Sequence, residues 1–327
     1  MKAIVYPHYG SPDVLQLKEV AKPTPQDNEV LIKIHAASAN PLDWHRMRAA
    51  PFFVRLGDGL LKPTNPRLGA DIAGRVEAVG SNVTEFQPGD EVFGDISAGG
   101  FAEYVCAPTN ALALKPIILS FEQAAAVPVA ALTALQGLRD KGQIQAGQKM
   151  LINGASGGVG TFAVQLAKAF GAEVTGVCST RNVEMVRSIG ADHVIDYTQA
   201  DFTRDGRRYD LIFDAVGNCS AADYMRALSP NGICVVAGFT TMSRMIFQVA
   251  LLGSLVSKTG NKKIGAMLAT VNKQDLDCLK ELLEAGKVVP VIDRCYPLHE
   301  VPEAMRYLEA GHARGKVVIT MDHSIPR

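Results

Sequence analysis

The sequence predicts a two-domain α/β protein, in which a barrel-like β domain is followed by a doubly wound parallel sheet. The chain has 327 residues, which is too long for one ordinary hydrophobic core. Short apolar runs separated by glycine and proline fill about the first 120 residues, a pattern typical of a β-barrel. After that point strand-like and helical segments alternate, which is typical of a parallel sheet with helices on both faces.

The predicted barrel contains four strands. The run VLIKIHA (30–36) shows the apolar alternation of a strand, and GRVEAVG (74–80) indicates another. The run QPGDEVFG (87–94) indicates a turn that leads into a third strand, and FAEYVC (101–106) supplies a fourth. Glycine and proline between these runs favour tight connections.

The second half shows the alternation expected of a parallel sheet. An Ala- and Leu-rich helix is predicted over residues 122–137, a helix over 160–170, and another that Asn182 caps and that ends at Gly190. The predicted strands are 150–152, 174–177, 194–195, 211–213 and 233–237.

The change of pattern predicts the domain boundaries. We place the first domain at residues 1–121 and the second at 122–268. The remaining segment, 269–327, begins with a helix over 276–285 and continues as strand, helix and strand. We expect this segment to rejoin the first domain.

Composition excludes several classes of protein. Lys plus Arg and Asp plus Glu number 33 each, which argues against a nucleic-acid partner.

The six cysteines form no CxxC pair and are expected to be reduced core thiols. The longest apolar run, 245–256, is too short to span a bilayer, and no secretory leader is recognisable. We therefore expect a cytoplasmic protein without a membrane span.

The sharpest local signal is the run NGASGGVG, residues 153–160. It follows a predicted strand and opens a predicted helix, the context in which a glycine-rich run binds a dinucleotide. Glycines let the backbone approach a pyrophosphate, and the helix N-terminus offers N–H donors and partial positive charge. Ala155 stands where the first glycine of GxGxxG would lie. The alternative is a tight turn in some other α/β fold.

The end of the second predicted strand indicates which cofactor binds. NAD sites usually place an acidic residue there, to bind the ribose 2′-hydroxyl. Here the strand ends in GVCSTR (176–181), which contains no acid. Ser179, Thr180 and Arg181 suit a 2′-phosphate instead, so NADPH is the predicted cofactor. The alternatives are a solvated charge for Arg181 and helix capping for the two hydroxyls.

Motifs around the glycine-rich loop resemble a known family. GQxxL (147–151), ASGGxG (155–160) and QxxK (165–168) are similar to the signature of the quinone oxidoreductase and zeta-crystallin branch of the medium-chain dehydrogenase/reductase superfamily. Five further runs are similar to this family: MKAI (1–4), NPLD (40–43), LGADIAGRV (68–76), GGFAEY (99–104) and GHARGK (311–316). The run GHARGK is most similar to the sub-branch of mitochondrial reticulon-interacting NADPH reductases and their bacterial relatives.

The resemblance implies a GroES-like β-barrel domain, a Rossmann domain, an active-site cleft between them, and a homodimer. It implies that Asn40 and Thr133 face the nicotinamide ring. The implied cofactor contacts are Ser156, Gly157, Gly158 and Val159 at the pyrophosphate, Ser179, Arg181 and Tyr197 at the 2′-phosphate, Asn218 and Phe239 along the cofactor, and His312, Ala313 and Arg314 closing over it.

Departures from the wider superfamily argue against a metal. Its zinc-dependent alcohol dehydrogenases hold catalytic zinc with an early cysteine and a Gly-His-Glu run. Here Asn40 stands at the cysteine position, and Gly69-Ala70-Asp71 replaces Gly-His-Glu. The four-cysteine lobe for a structural zinc is also missing. Neither zinc site can be assembled from these side chains.

Without a Lewis acid, the substrate must accept hydride readily. The sequence therefore predicts an NADPH-dependent, zinc-independent oxidoreductase that reduces a quinone or an activated double bond. The alternatives are a 2-alkenal or enone reductase, a non-enzymatic NADPH-binding protein, and a zinc alcohol dehydrogenase. Four residues are candidates for a proton donor: Asp43, His45, Asp71 and Tyr104. A structural role is the favoured interpretation for each, so no catalytic acid is assigned.

Overall fold

The computed structural model describes residues 1–52, 54–238 and 261–321. Contacts between Cα atoms divide the chain into two compact units. The first comprises Met1–Val129, Val271–Glu284 and Pro290–Arg327, and the second comprises Ala130–Thr270 and Ala285–Val289. Phe239 and the apolar run 245–256 lie outside the described residues.

Strands and helices are numbered in chain order. The strands are β1 (Lys2–Val5), β2 (Gln16–Glu19), β3 (Glu29–Ala39), β4 (Asp71–Val79), β5 (Glu91–Asp95), β6 (Tyr104–Pro108), β7 (Leu112–Leu114), β8 (Lys149–Asn153), β9 (Glu173–Cys178), β10 (His193–Asp196), β11 (Tyr209–Asp214), β12 (Leu228–Val236), β13 (Lys263–Ala266), β14 (Ile292–Pro297) and β15 (Lys316–Thr320). The helices are α1 (Pro41–Arg48), α2 (Val54–Asp58), α3 (Phe121–Ala125), α4 (Pro128–Gln136), α5 (Gly158–Ala169), α6 (Val183–Ser188), α7 (Ala221–Ala227), α8 (Lys273–Glu284) and α9 (Val301–Glu309).

The first unit is built on a seven-stranded sheet. Its strands follow the order β14-β15-β3-β4-β5-β7, and β6 pairs with β3. The four strands predicted in the first 120 residues correspond to β3, β4, β5 and β6. The late strand β15 pairs antiparallel with β3, with Val317 opposite Ala39. This pairing brings Lys316 to the end of β3 that leads into Asn40.

The second unit contains a six-stranded sheet in the order β10-β9-β8-β11-β12-β13. All of its pairings are parallel. The five predicted strands correspond to β8 to β12, and the prediction of a doubly wound parallel sheet is confirmed. The sixth strand, β13, was not predicted, because Ile264 is its one buried residue and the segment lacks an apolar run.

Two predicted helices differ in the structure. The helix expected over 122–137 is divided into α3 and α4, because Pro128 disfavours helical geometry at the residue before it. Asn182 precedes α6, but within the described residues its side chain forms no capping hydrogen bond. It binds two serines instead, and α6 ends at Ser188 rather than at Gly190.

Helices of the described ranges are all too short or too polar to cross a membrane.

Candidate functional site

Glycines shape the loop between β8 and α5 in the second unit. Gly154 has a φ of +81°, which favours glycine. At Gly160, a Cβ atom would lie 2.0 Å from the carbonyl oxygen of Gly154. A side chain there would force α5 away from the loop. At Gly157, the nearest described atom to a Cβ would be the same oxygen at 3.5 Å, so the described residues leave space beside Gly157.

The N-terminus of α5 is arranged to receive an anion. Gly157 caps the helix, and among the described residues no side chain caps it. The first-turn N–H groups and the partial positive charge of the helix are therefore not neutralised by a side chain. Strand β8 lies between β9 and β11, where the strand order reverses, and dinucleotides bind at this point of open α/β sheets. The segment 156–159 fits a pyrophosphate.

The segment after β9 contains the predicted 2′-phosphate residues. Ser179 is half-buried and Arg181 is exposed. Tyr197 follows β10, its backbone N–H donates to the carbonyl oxygen of Cys178 at 3.0 Å, and its side chain is 63% exposed. The structure thus brings Ser179, Arg181 and Tyr197 to the same end of two neighbouring strands.

Asp196 also belongs to this region, although its sequence position did not indicate a role there. The Thr180 hydroxyl donates to Asp196 Oδ2 at 2.6 Å, and the Thr198 hydroxyl donates to Oδ1 at 2.8 Å. The hydrogen bond from Thr180 lowers the pKa of the Asp196 carboxyl. The Thr180 hydroxyl hydrogen is therefore engaged by a carboxylate, and Ser179 and Arg181 remain the stronger candidates for a 2′-phosphate. Asp196 ends the edge strand β10, whereas the residues that indicate the cofactor in the sequence follow β9.

A buried carboxylate fixes the loop after β11. Asp214 Oδ1 accepts the backbone N–H groups of Val216 and Gly217, both at 2.7 Å. Its Oδ2 accepts Asn153 Nδ2 at 3.0 Å and the Tyr224 hydroxyl at 2.7 Å, and burial raises the pKa of Tyr224. Asn153 Nδ2 also donates to Asn218 Oδ1 at 3.0 Å. Asn218 is therefore held beside the end of β8.

A second polar cluster lies inside the first unit. Lys316 Nζ donates to Asn40 Oδ1 at 2.5 Å and to Asp71 Oδ2 at 3.2 Å. Asp71 Oδ2 also accepts the Ser38 hydroxyl at 2.6 Å and Asn40 Nδ2 at 2.9 Å. Its Oδ1 accepts the backbone N–H of Val129 at 2.8 Å. Lys316 was not predicted, because its glycine-flanked position at the start of β15 carries no local signal of burial.

The other three proton-donor candidates, like Asp71, have partners within the protein. The Asp43 carboxylate accepts the backbone N–H groups of Asn40 and Gly69, both at 2.8 Å, and burial raises its pKa to about 6. His45 Nδ1 lies 2.6 Å from the carbonyl oxygen of Ala50. The Lys22 ammonium lies over the Tyr104 ring, 3.9 Å from its centre.

The segment 312–314 is anchored by Asp293. Asp293 Oδ2 accepts the backbone N–H of Arg314 at 2.9 Å and the Tyr307 hydroxyl at 2.6 Å. His312 and Arg314 are exposed, while Ala313 packs against the core of the first unit. The nicotinamide candidate Thr133 is half-buried on α4, in the part of that helix that belongs to the second unit. The cofactor roles of these residues and of Asn40 stay predictions.

Within the ranges the structure describes, no group of three or more His, Cys, Asp or Glu side chains could hold a metal ion. At the positions compared with zinc ligands, the structure has the amide of Asn40, the methyl of Ala70 and the carboxylate of Asp71. The positive charge beside the amide and the carboxylate belongs to Lys316. This set of donors does not fit zinc.

Comparisons with known proteins place the chain in a family. Residues 26–117 match the alcohol dehydrogenase GroES-like domain, and residues 189–319 match the zinc-binding dehydrogenase family. The 2-methylene-furan-3-one reductase of Solanum lycopersicum is 40% identical to this chain, in an alignment that covers 100% of this chain and 80% of that protein. The chain belongs to the quinone oxidoreductase-like group of the medium-chain dehydrogenase/reductase superfamily.

Other members of this superfamily agree with the assignment. The mitochondrial NAD(P)H oxidoreductase RTN4IP1 of Bos taurus is 35% identical over 98% of this chain and 89% of its own length. The quinone oxidoreductase of Coxiella burnetii has a similar structure, with a TM-score of 0.85 and 34% identity over 98% of this chain and 99% of that chain. The prediction of a GroES-like domain with a Rossmann domain is thereby confirmed.

Proposed function

We propose that this protein is an NADPH-dependent oxidoreductase that delivers hydride to a quinone or an activated carbon–carbon double bond without a catalytic metal. The observation that carries the proposal is the loop between β8 and α5. Gly160 permits close packing of α5, and Gly157 leaves room above an N-terminus that no described side chain caps. The similar quinone oxidoreductase of Escherichia coli was crystallised with NADPH.

The residues of this chain have separate tasks in the proposal. Ser156 to Val159 bind the pyrophosphate, and Ser179 and Arg181 bind the 2′-phosphate, with Tyr197 beside them. Bound NADPH supplies the hydride. Because Asn40, Ala70 and Asp71 occupy the zinc-ligand positions, the substrate has to be electrophilic without metal activation. Quinones and α,β-unsaturated carbonyls meet that requirement.

Two relatives favour an enone or alkenal as the acceptor. The tomato relative is named for reduction of 2-methylene-furan-3-one, in which a double bond is conjugated to a ketone. A chloroplast protein of Arabidopsis thaliana, 37% identical over 98% of this chain, is named an NADPH-dependent alkenal/one oxidoreductase. Reduction of a conjugated carbonyl compound is therefore the second candidate, and it uses the same cofactor site.

The test is the rate of NADPH oxidation by purified protein with a 1,4-quinone, a 2-alkenal, a cyclic enone and a saturated aldehyde. The proposal predicts turnover of at least one of the first three acceptors and none of the saturated aldehyde. Preference for the alkenal or enone would select the second candidate. Tight NADPH binding with no turnover of any acceptor would contradict both and favour a binding protein.

Replacement of Arg181 by alanine should separate the two nicotinamide cofactors. A hydrogen bond between charged groups contributes about 1.5–3 kcal/mol, so we expect the apparent KM for NADPH to rise roughly ten- to hundredfold. The KM for NADH should stay nearly unchanged, because NADH lacks the 2′-phosphate. Steady-state kinetics with both cofactors provides the measurement.

Arg187→Ala is the matched control for Arg181→Ala. Arg187 is exposed on α6 and pairs with Glu184 at 2.8 Å, so its loss should change neither KM. An equal rise of the KM for both cofactors in Arg181→Ala would refute the assignment of Arg181 to the 2′-phosphate.

A homodimer and a cytoplasmic location are further proposals that rest on the family resemblance and on composition. Several relatives are named as mitochondrial or chloroplastic, so the compartment needs its own measurement. Light scattering of the purified protein would determine the oligomeric state, and cell fractionation would determine the location.

A further inference from the structure

Asn182 connects two parts of the proposed cofactor site. Its side chain is 5% exposed and lies between the loop after β8 and the segment after β9. Asn182 Nδ2 donates to Ser156 Oγ at 2.9 Å and to Ser179 Oγ at 3.2 Å. Its Oδ1 is buried and has no hydrogen-bond partner among the described residues.

The orientation of the Asn182 amide follows from the cost of unpaired groups. In the observed orientation, both Nδ2 hydrogens are hydrogen-bonded and one acceptor, Oδ1, is left without a partner. The flipped amide would accept from both serines but leave two buried N–H groups unpaired. Buried unpaired donors are rarer in proteins than under-satisfied carbonyl oxygens. The amide therefore donates to both serines.

This orientation decides what the two serines offer to a ligand. A hydroxyl oxygen that accepts a hydrogen bond still has its own hydrogen to donate. Among the described residues, neither serine hydroxyl donates to a protein acceptor, and both side chains are half-buried. The hydrogens of Ser156 and Ser179 are thus left for an acceptor outside the protein. Phosphate oxygens accept hydrogen bonds and donate none when ionised.

We propose that Asn182 is a positioning residue that sets the polarity of the two serines, so that both present a hydrogen-bond donor to the phosphates of NADPH. The inference rests on the proposed function. Ser156 lies in the pyrophosphate loop and Ser179 in the 2′-phosphate region, so one buried amide orients donors for both phosphate groups. Asn182 itself does not touch the cofactor.

A purely structural role for Asn182 makes the opposite prediction for one variant. In Asn182→Asp, the carboxylate can still bridge the two serines, but it accepts from both and turns their lone pairs toward the phosphates. If Asn182 only joins the two segments, Asn182→Asp should bind NADPH better than Asn182→Ala, which loses the bridge. If Asn182 sets polarity, Asn182→Asp should bind NADPH more weakly than Asn182→Ala.

The negative charge of the aspartate needs its own control. In a Ser156→Ala/Ser179→Ala background, Asn182→Asp adds the same charge but has no hydroxyl to reorient. Asn182→Asp should lower NADPH affinity in both backgrounds. We expect the factor of loss to be at least about ten times larger with both serines present than in the Ser156→Ala/Ser179→Ala protein. An equal loss in both backgrounds would mean that charge repulsion alone acts, and would overturn the proposal.

The measurement is the Kd of NADPH by fluorescence titration for wild type and the variants, with the melting temperature of each without NADPH. Failure of wild-type protein to bind NADPH would refute the proposed function. Wild-type binding with Asn182→Asp equal to or tighter than Asn182→Ala would refute only the role of Asn182. The proposal expects the affinity order wild type, Asn182→Ala, Asn182→Asp, and that order should not follow the melting temperatures.

Discussion

Replacement of Gly160 by alanine is expected to abolish detectable NADPH binding and to destabilise the second unit by about 3 kcal/mol. The added Cβ would lie 2.0 Å from the Gly154 carbonyl oxygen and 2.8 Å from Ala155 Cα. Both are backbone atoms, so no rotation of a side chain can relieve the clash, and α5 has to move. Denaturant unfolding and NADPH fluorescence titration measure the two effects.

Gly157→Ala separates ligand approach from protein packing in the same loop. The backbone φ at Gly157 is −82°, which alanine adopts without strain, and the nearest described atom to its Cβ would be 3.5 Å away. We expect the free energy of unfolding to stay within about 0.5 kcal/mol of wild type, while NADPH affinity falls because the methyl group occupies the phosphate site. Unchanged NADPH affinity in Gly157→Ala would contradict the placement of the pyrophosphate.

Replacement of Lys316 by methionine should destabilise the first unit by about 3–5 kcal/mol. The side chains of Lys316 and Asp71 are 3% and 0% exposed, and Nζ lies 3.2 Å from Asp71 Oδ2. Methionine has a similar length and no charge, so Lys316→Met leaves the Asp71 carboxylate buried without its cation. Denaturant unfolding at neutral pH measures the loss.

The double variant tests whether the pairing causes this loss. Asp71→Asn alone leaves the Lys316 cation without its carboxylate, whereas Lys316→Met/Asp71→Asn removes both charges. We expect the double variant to be more stable, by about 1–3 kcal/mol, than the sum of the two single losses predicts. Additive losses would show that the two side chains stabilise the unit independently.

Elements whose pattern is local could be predicted from the sequence. Strands β8, β9 and β11 carry mostly apolar side chains where they are buried, and the run NGASGGVG, which stands between a predicted strand and a predicted helix, predicts a phosphate loop. The helix over 122–137 was wrong in detail, because an Ala-rich composition outweighed the effect of Pro128 on the preceding residue. β13 was missed because an edge strand with one buried side chain lacks a hydrophobic pattern.

Residues whose role depends on distant partners could not be predicted. Asn182 carried the signature of a helix cap, but Ser156, 26 positions earlier, takes its amide hydrogen. Asp196 meets Thr180 because β10 lies next to β9, and that neighbourhood is a property of the sheet order. Lys316 meets Asn40 across 276 positions of sequence. Sequence spacing contains no information about these contacts until the sheets are assembled.

The most direct test of metal-free hydride transfer is the rate of NADPH oxidation, with a quinone and an enone, by protein dialysed against a strong chelator and shown to be free of zinc. If the substrate itself provides the electrophilicity, the rate should equal that of untreated protein, and added zinc should not raise it. A rate that disappears on dialysis and returns with zinc would contradict metal-free hydride transfer, because zinc would then supply the activation that the proposal assigns to the substrate.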